Sequence, residues 1–167
     1  MTDTIPANWE IKTLDEMVYC HNTKRIPLKA ADRRDRLGKF RYFGASGVID
    51  YVDGYLFDGD FILVGEDGEN IISRNSPLAF SVSGKFWVNN HAHVLEPKGG
   101  MNLIFLENYL ESLDYSVIAA GSAQPKITQA SLLKISVLNP PLVEQEKIAD
   151  ILTSLDDQIE AIESKLV

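Results

Sequence analysis

Apolar positions near the end of the chain recur at the spacing of a helical seam: Ile148, Leu152, Leu155, Ile159, Ile162 and Leu166 are separated by 4, 3, 4, 3 and 4 residues. A heptad stripe of this kind puts all six side chains on one narrow face of a helix that supercoils against another. Pro140 and Pro141 precede it. Proline is tolerated in the first turn of a helix but not in its interior, so the helix is expected to start near Leu142. Its other faces carry Glu144, Glu146, Asp150, Asp156, Asp157, Glu160 and Glu163 against Lys147 and Lys165, an acidic surface unsuited to nucleic acid. Three heptads are marginal for an isolated coil in water, so the stripe implies a partner helix.

Upstream, residues 6–10 form a lead-in segment anchored by Trp9, and Thr13 caps a short helix that turns Leu14, Met17 and Val18 inward. From residue 40 the texture changes to short β-type runs at 40–43, 48–51, 61–64, 71–73, 79–82, 86–88 and 92–95. Asp53-Gly54, Asp58-Gly59, Asp67-Gly68 and Ser83-Gly84 punctuate them as turns. An amphipathic helix over 102–115 is expected to cover the sheet with Leu103, Leu106, Leu110 and Leu113, leaving Glu107, Glu111 and Asp114 outside. A polar loop at 121–126, a helix capped by Thr128 and running to Lys134, and a last strand at 135–138 complete the pattern. The expected fold class is α+β: a compact, mostly antiparallel sheet domain over 1–139 with covering helices, and a coiled-coil arm over 140–167.

At 167 residues and 45% hydrophobic content the chain suits one domain with a sizeable core. The single Cys20 leaves no internal disulfide framework, nothing at the start resembles a secretory signal, and no apolar run approaches the ~20 residues of a membrane span. A soluble, cytoplasmic protein without a membrane partner is the expectation. The net charge of -8 argues at first against a nucleic-acid partner. Its distribution argues the other way. Lys24, Arg25, Lys29, Arg33, Arg34, Arg36, Lys39 and Arg41 face only Asp32 and Asp35, so eighteen positions hold a charge of +6 and the rest of the chain -14. Positive charge concentrated in this way suits phosphate positioning, with one or two side chains reaching guanine edges in the major groove.

The loop at 121–126 offers small residues for close backbone approach, with Ser122, Gln124 to read adenine and Lys126 to hold a phosphate. Ser46, in the turn after the basic segment, would extend that surface, whereas Tyr42 beside it reads as core. His91 and His93 alternate along an expected strand and would share a metal with a carboxylate such as Glu66 or Asp67. That makes a small metal-dependent enzyme a competing reading. Asp58 and Asp60 read as turn residues because no Glu completes a calcium loop. No phosphate-binding Gly-rich loop, nucleophile motif or methyltransferase signature is present, so no cofactor is expected on this chain.

Two stretches taken together resemble the specificity subunits of type I restriction-modification systems. GSAQPKI at 121–127, SLLKISVLNPP at 131–141 and EQEKIA at 144–149 are similar to that family's junction between a target recognition domain and its helical spacer. YLFDGDFILVGEDG at 55–68 and FWVNNHAHVL at 86–95 resemble the body of such a domain. The resemblance implies a non-catalytic, double-stranded-DNA-binding specificity subunit that directs a modification (methyltransferase) subunit and a restriction subunit to a bipartite site. S-adenosylmethionine would then belong to the partner methylase, which flips its target adenine. A full subunit of the family carries two recognition domains and two spacers, whereas one domain and part of one spacer are present here. Homodimerisation through Ile148, Leu152, Leu155, Ile159, Ile162 and Leu166 would restore a symmetric, interrupted site; the chain read as a fragment of a longer one is the other option. An interaction protein that caps or mimics part of a restriction complex is a third reading, resting on the acidic remainder of the surface.

Overall fold

The structure, a computed structural model, describes residues 5–121 and 124–165. Eight strands and six helical segments follow in the order β1 (Glu10–Thr13), α1 (Leu14–Met17), β2 (Val18–Cys20), α2 (Ala30–Arg34), β3 (Leu37–Gly44), β4 (Gly47–Val52), β5 (Phe57–Gly65), α3 (Asn70–Ser73), β6 (Ala79–Val88), β7 (Ala92–Pro97), α4 (Leu103–Glu111), α5 (Gln129–Leu133), β8 (Ser136–Asn139) and α6 (Leu142–Glu163). Six strands form one sheet in the order β2-β7-β5-β6-β3-β4, antiparallel throughout except where β3 runs parallel to β6. β1 and β8 make a separate two-stranded ribbon that ties the start of the chain to the base of α6. None of the described helices is long and apolar enough to cross a membrane.

Period-two alternation along β5 divides the core. Ile62 and Val64 face a layer built from α1, α3, α4 and α5 with Val18, Leu95, Ile127 and Val137, while Phe61 and Leu63 face Phe43, Phe57, Val82, Phe86, Val88, Ala92 and Val94. Every member of the second cluster lies on a strand, because the sheet curls over its own inner face. The curl is tight enough that a Cβ on Gly65 would sit 2.9 Å from the Ala45 carbonyl oxygen of the β3–β4 hairpin, across the intervening β6. On the outer face of β3, β4 and β6, Tyr42, Val52 and Trp87 form a third cluster, covered by Leu28 of the basic segment.

Several sequence expectations need correction. Ser83-Gly84 and Asp58-Gly59 do not turn the chain. Gly59 pairs with Gly84 inside one continuous β5–β6 ribbon, at φ of +143° and +78°, so the pair permits the bend that curls the sheet. The expected strand at 71–73 is instead the helical turn α3, because Asn70 exchanges hydrogen bonds with the backbone of Ser76 and closes a loop that a strand could not follow. The helix expected to Tyr115 ends at Glu111, and Asp114 accepts from Ser116 N to start a separate 3₁₀ turn, Tyr115–Val117. Glu107 and Glu111 are not left to solvent alone either. They accept backbone N–H groups of Ser81, Leu78 and Ala79 and so dock α4 on the start of β6. Thr13, Asn102 and Thr128 cap their helices, and α6 begins at Leu142 as expected.

At Gly38, beside the bulge that opens β3, an added Cβ would lie 2.3 Å from Val52 O and 2.4 Å from Asp53 Cα, both backbone atoms that have no rotamer to escape into. Gly38→Ala should therefore cost about 1–3 kcal/mol, visible as a lowered thermal midpoint. An unchanged midpoint would contradict this packing.

Candidate nucleic-acid interface

Glu66 follows the apolar run Phe61–Gly65 of β5 and is only 8% exposed, so its carboxylate must be met by charge or hydrogen bonds. Arg25 supplies one partner, its Nη1 donating to Oε2 at 2.6 Å and to the Ala92 carbonyl at 2.8 Å. Lys126 supplies the other, Nζ to Oε1 at 2.9 Å. Burial by itself would push the Glu66 carboxyl up; the hydrogen bonds from Arg25 and Lys126 more than offset this and hold it below the ordinary 4.5. The hydrogen bond to Glu66 and its charge in turn raise the Lys126 ammonium. Backbone bonds from Ile127 N to Glu66 O (2.8 Å) and from Gly68 N to Pro125 O (3.1 Å) then stitch the 120–127 loop onto the end of β5. One end of the sheet thus gathers Arg25, Lys126, the exposed Gln124 and, on the neighbouring hairpin tip, the exposed Ser46. Ser122 lies outside the described residues.

His93 belongs to the support of this end. It is 1% exposed. Its Nδ1 accepts from Asn22 Nδ2 at 2.8 Å and its Nε2 donates to Ile127 O at 2.9 Å, which fixes the neutral Nε2–H tautomer. Asn22 also bonds Gln129 Oε1 and Val94 N. His91, in contrast, precedes β7, is exposed, and contacts Asp67 at 2.9 Å. The shared-chelate geometry expected from alternation is absent, because both ring nitrogens of His93 are taken by protein. Among the described residues no three His, Cys, Asp or Glu groups converge as a metal site.

From Arg25 the basic segment runs as a strap over the outer aromatic cluster. Arg33 donates to Asp50 (2.7 Å) and to Leu28 O (2.8 Å), with its guanidinium 5.1 Å from the Tyr42 ring. Arg36 pairs with Asp53 at 2.8 Å and lies 4.9 Å from the Trp87 ring, whose Nε1 donates to Ile26 O. Arg41 bonds Ser83 O and covers Phe43. Tyr42 is core, 1% exposed, as its sequence position suggested. Lys24, Lys29, Arg34 and Lys39 are exposed and pair with no carboxylate among the described residues. The strap therefore contains two kinds of cation: arginines that fasten it and neighbours that project to solvent. The fastening partners Glu66, Asp50, Asp53 and Trp87 were not singled out for that role from the sequence. A glutamate directly after a five-residue buried run was the available signal for the first.

On α6, Ile148 and Leu152 are half-buried beside Phe105 and Tyr109 of α4, whereas Leu155, Ile159 and Ile162 are exposed. Leu166 lies outside the described residues. The stripe is thus shared between the domain's own surface and solvent.

Cations thus project from one sheet end and from the strap, and a helix with exposed apolar positions follows the domain. Residues 6–167 match the family profile of the type I restriction modification DNA specificity domain, and the chain belongs to that family. It is 39% identical over 146 residues to a putative type I restriction enzyme specificity subunit of Haemophilus influenzae, covering 87% of this chain and 37% of that protein. It is 26% identical to the type I restriction enzyme EcoprrI specificity subunit of Escherichia coli, covering 87% and 35%. The crystal structure of the type I restriction-modification system S subunit from M. genitalium superposes with a TM-score of 0.73 at 18% identity, over 98% of this chain and 43% of that one. The chain thus spans about two fifths of the length of these proteins.

Burial holds His93 neutral by depressing its pKa below the ordinary 6.5. An unfolded chain takes up that proton as pH falls through 6.5 while the folded one resists, so stability present above 6.5 is lost below it. Urea midpoints of the wild type should fall between pH 6.5 and 4.5, and those of His93→Gln should fall less. Parallel pH profiles would refute a buried, neutral His93.

Proposed function

We propose that this chain is a target recognition module of a type I restriction-modification specificity subunit. It reads one half of an interrupted site in double-stranded DNA and has no catalytic role. The observation that carries the reading is the set of exposed cations Lys24, Lys29, Arg34 and Lys39, which pair with no carboxylate among the described residues, on a strap that Arg25, Arg33 and Arg36 fasten to the sheet, in a chain whose net charge is -8. Phosphates are attracted at that ridge and repelled elsewhere. Gln124, Lys126 and Ser46, held at the Glu66 end, are suited to reach base edges and flanking phosphates.

The partners on this reading are an adenine methyltransferase, which supplies S-adenosylmethionine and the chemistry, and a restriction subunit, all in the cytoplasm. The second half-site is read by another recognition module, brought by a helix that seats on Leu155, Ile159 and Ile162. A second copy of this chain provides that helix with matching spacing, and an isologous pair gives a two-fold symmetric site.

Affinity of the chain, purified with its methyltransferase, is to be measured for cognate DNA against salt concentration. Arg34→Ala should weaken binding and reduce the slope of log K against log salt by about one, without altering the thermal midpoint. Arg33→Ala should lower the midpoint measurably, because it removes the hydrogen bonds to Asp50 and to the Leu28 carbonyl that fasten the strap. A wild-type complex that neither binds nor methylates DNA would remove the reading. Replacing Leu155 and Ile159 together with Asp should halve the mass seen by light scattering or detach the methyltransferase while the domain remains folded; an unchanged assembly would remove the role of the stripe.

A further inference from the structure

α6 leaves the domain along a direction set by very few side chains. Its first turns are embedded: Gln145 is 1% and Ala149 4% exposed, while every described residue beyond Leu152 is exposed. Gln145 is a fully buried polar side chain whose hydrogen bonds span three elements. Its Oε1 accepts from Asn102 N at 2.9 Å, at the N-cap of α4. Its Nε2 donates to Pro140 O at 2.9 Å and to Asn139 Oδ1 at 3.1 Å, at the end of β8. Beside it, Glu144 accepts from Asn8 Nδ2 at 2.6 Å and from Trp9 Nε1 at 2.8 Å, so the lead into β1 holds the other side of the same turn. An apolar residue at 145 would fill the space but could satisfy none of these groups.

We propose that Gln145 is a positioning residue that locks the direction of α6 relative to the recognition domain and thereby sets the base-pair separation at which a second module meets DNA. This deepens the half-site reading and rests on it. Geometry explains why a lock is needed. α6 has 22 residues, about 33 Å at 1.5 Å per residue, so a swing of about 6° at its base moves the far end by about 3.4 Å, one base-pair step. Ile148 and Leu152 border an open groove with Phe105 and Tyr109 of α4, so the apolar side of the helix does not clamp its direction; the hydrogen bonds of Gln145 are directional and do.

The test uses the full chain and two readouts. In a Cys20→Ser background, spin labels at Thr23→Cys and Asp157→Cys, diluted with unlabelled chain, report the distance between domain and arm. One narrow distribution is expected with Gln145, and a broadened one with Gln145→Leu. In complex with the methyltransferase, the chain is then offered DNA with two half-sites whose separation varies one base pair at a time. Gln145→Leu should reduce the discrimination between the best separation and its neighbours by about tenfold while binding to a single half-site stays within about twofold. A distribution that stays narrow, or a spacing preference that survives, overturns the proposal; a lower melting temperature alone does not support it. Should Gln145→Leu fail to fold, Trp9→Phe, which loses only the indole bond to Glu144, is expected to broaden the distribution in the same direction, and no broadening counts against the lock. If the wild-type complex methylates none of the two-site DNAs, the recognition reading and the spacing clause fall together, and the distance distributions still decide whether Gln145 locks the helix.

Discussion

A carboxylate with little access to water organises this domain. Glu66 sits at the end of the most buried strand, where an unpaired charge would cost several kcal/mol. It is stabilised by two cations from segments about forty and sixty residues away in sequence. Because Arg25 begins the basic strap and Lys126 ends the polar loop, one acidic side chain fixes both candidate recognition segments to the same end of the sheet. His93 and Asn22 continue the fixation behind it without carrying charge. Loops that would otherwise be mobile are presented from a rigid base, which is how a binding surface limits the entropy lost on engagement.

The same economy governs the strap. Eight cations in eighteen positions suggest eight contacts to phosphate. Several of them instead answer needs inside the chain: Arg25, Arg33 and Arg36 neutralise Glu66, Asp50 and Asp53, and two of them lie over aromatic rings that would otherwise face water. Arginine suits this double use, since its planar group can stack on a ring and donate at its edge. The lysines and Arg34 between them project to solvent. The segment thus alternates cations used inside the chain with cations left exposed.

At the other end of the domain the constraint is directional. The β1–β8 ribbon, Glu144 and Gln145 all act within the first turn of α6, and beyond Leu152 the helix leaves the body of the domain. The family match covers both parts, the sheet body and the helix whose apolar positions Leu155, Ile159 and Ile162 are exposed. The acidic faces of α6 set it apart electrostatically from the basic strap at the other end of the domain.

Elements whose signal is local were legible along the chain. The start of α6 after Pro140-Pro141, the caps at Thr13 and Thr128, most strands, the core position of Tyr42 and the segregation of charge follow from periodicity, proline stereochemistry and composition, which need no knowledge of distant residues. The remainder emerged from long-range contacts. Gly59 and Gly84 read as two turns until they are seen facing each other in one bent ribbon, Glu107 and Glu111 read as solvated until β6 supplies N–H donors, and His91 and His93 read as a pair until Asn22 and Ile127 claim the second ring. Whether Arg25 or Arg34 is free for a ligand depends on which carboxylate folds beside it. That is a long-range contact, and no pattern of neighbours along the chain encodes it.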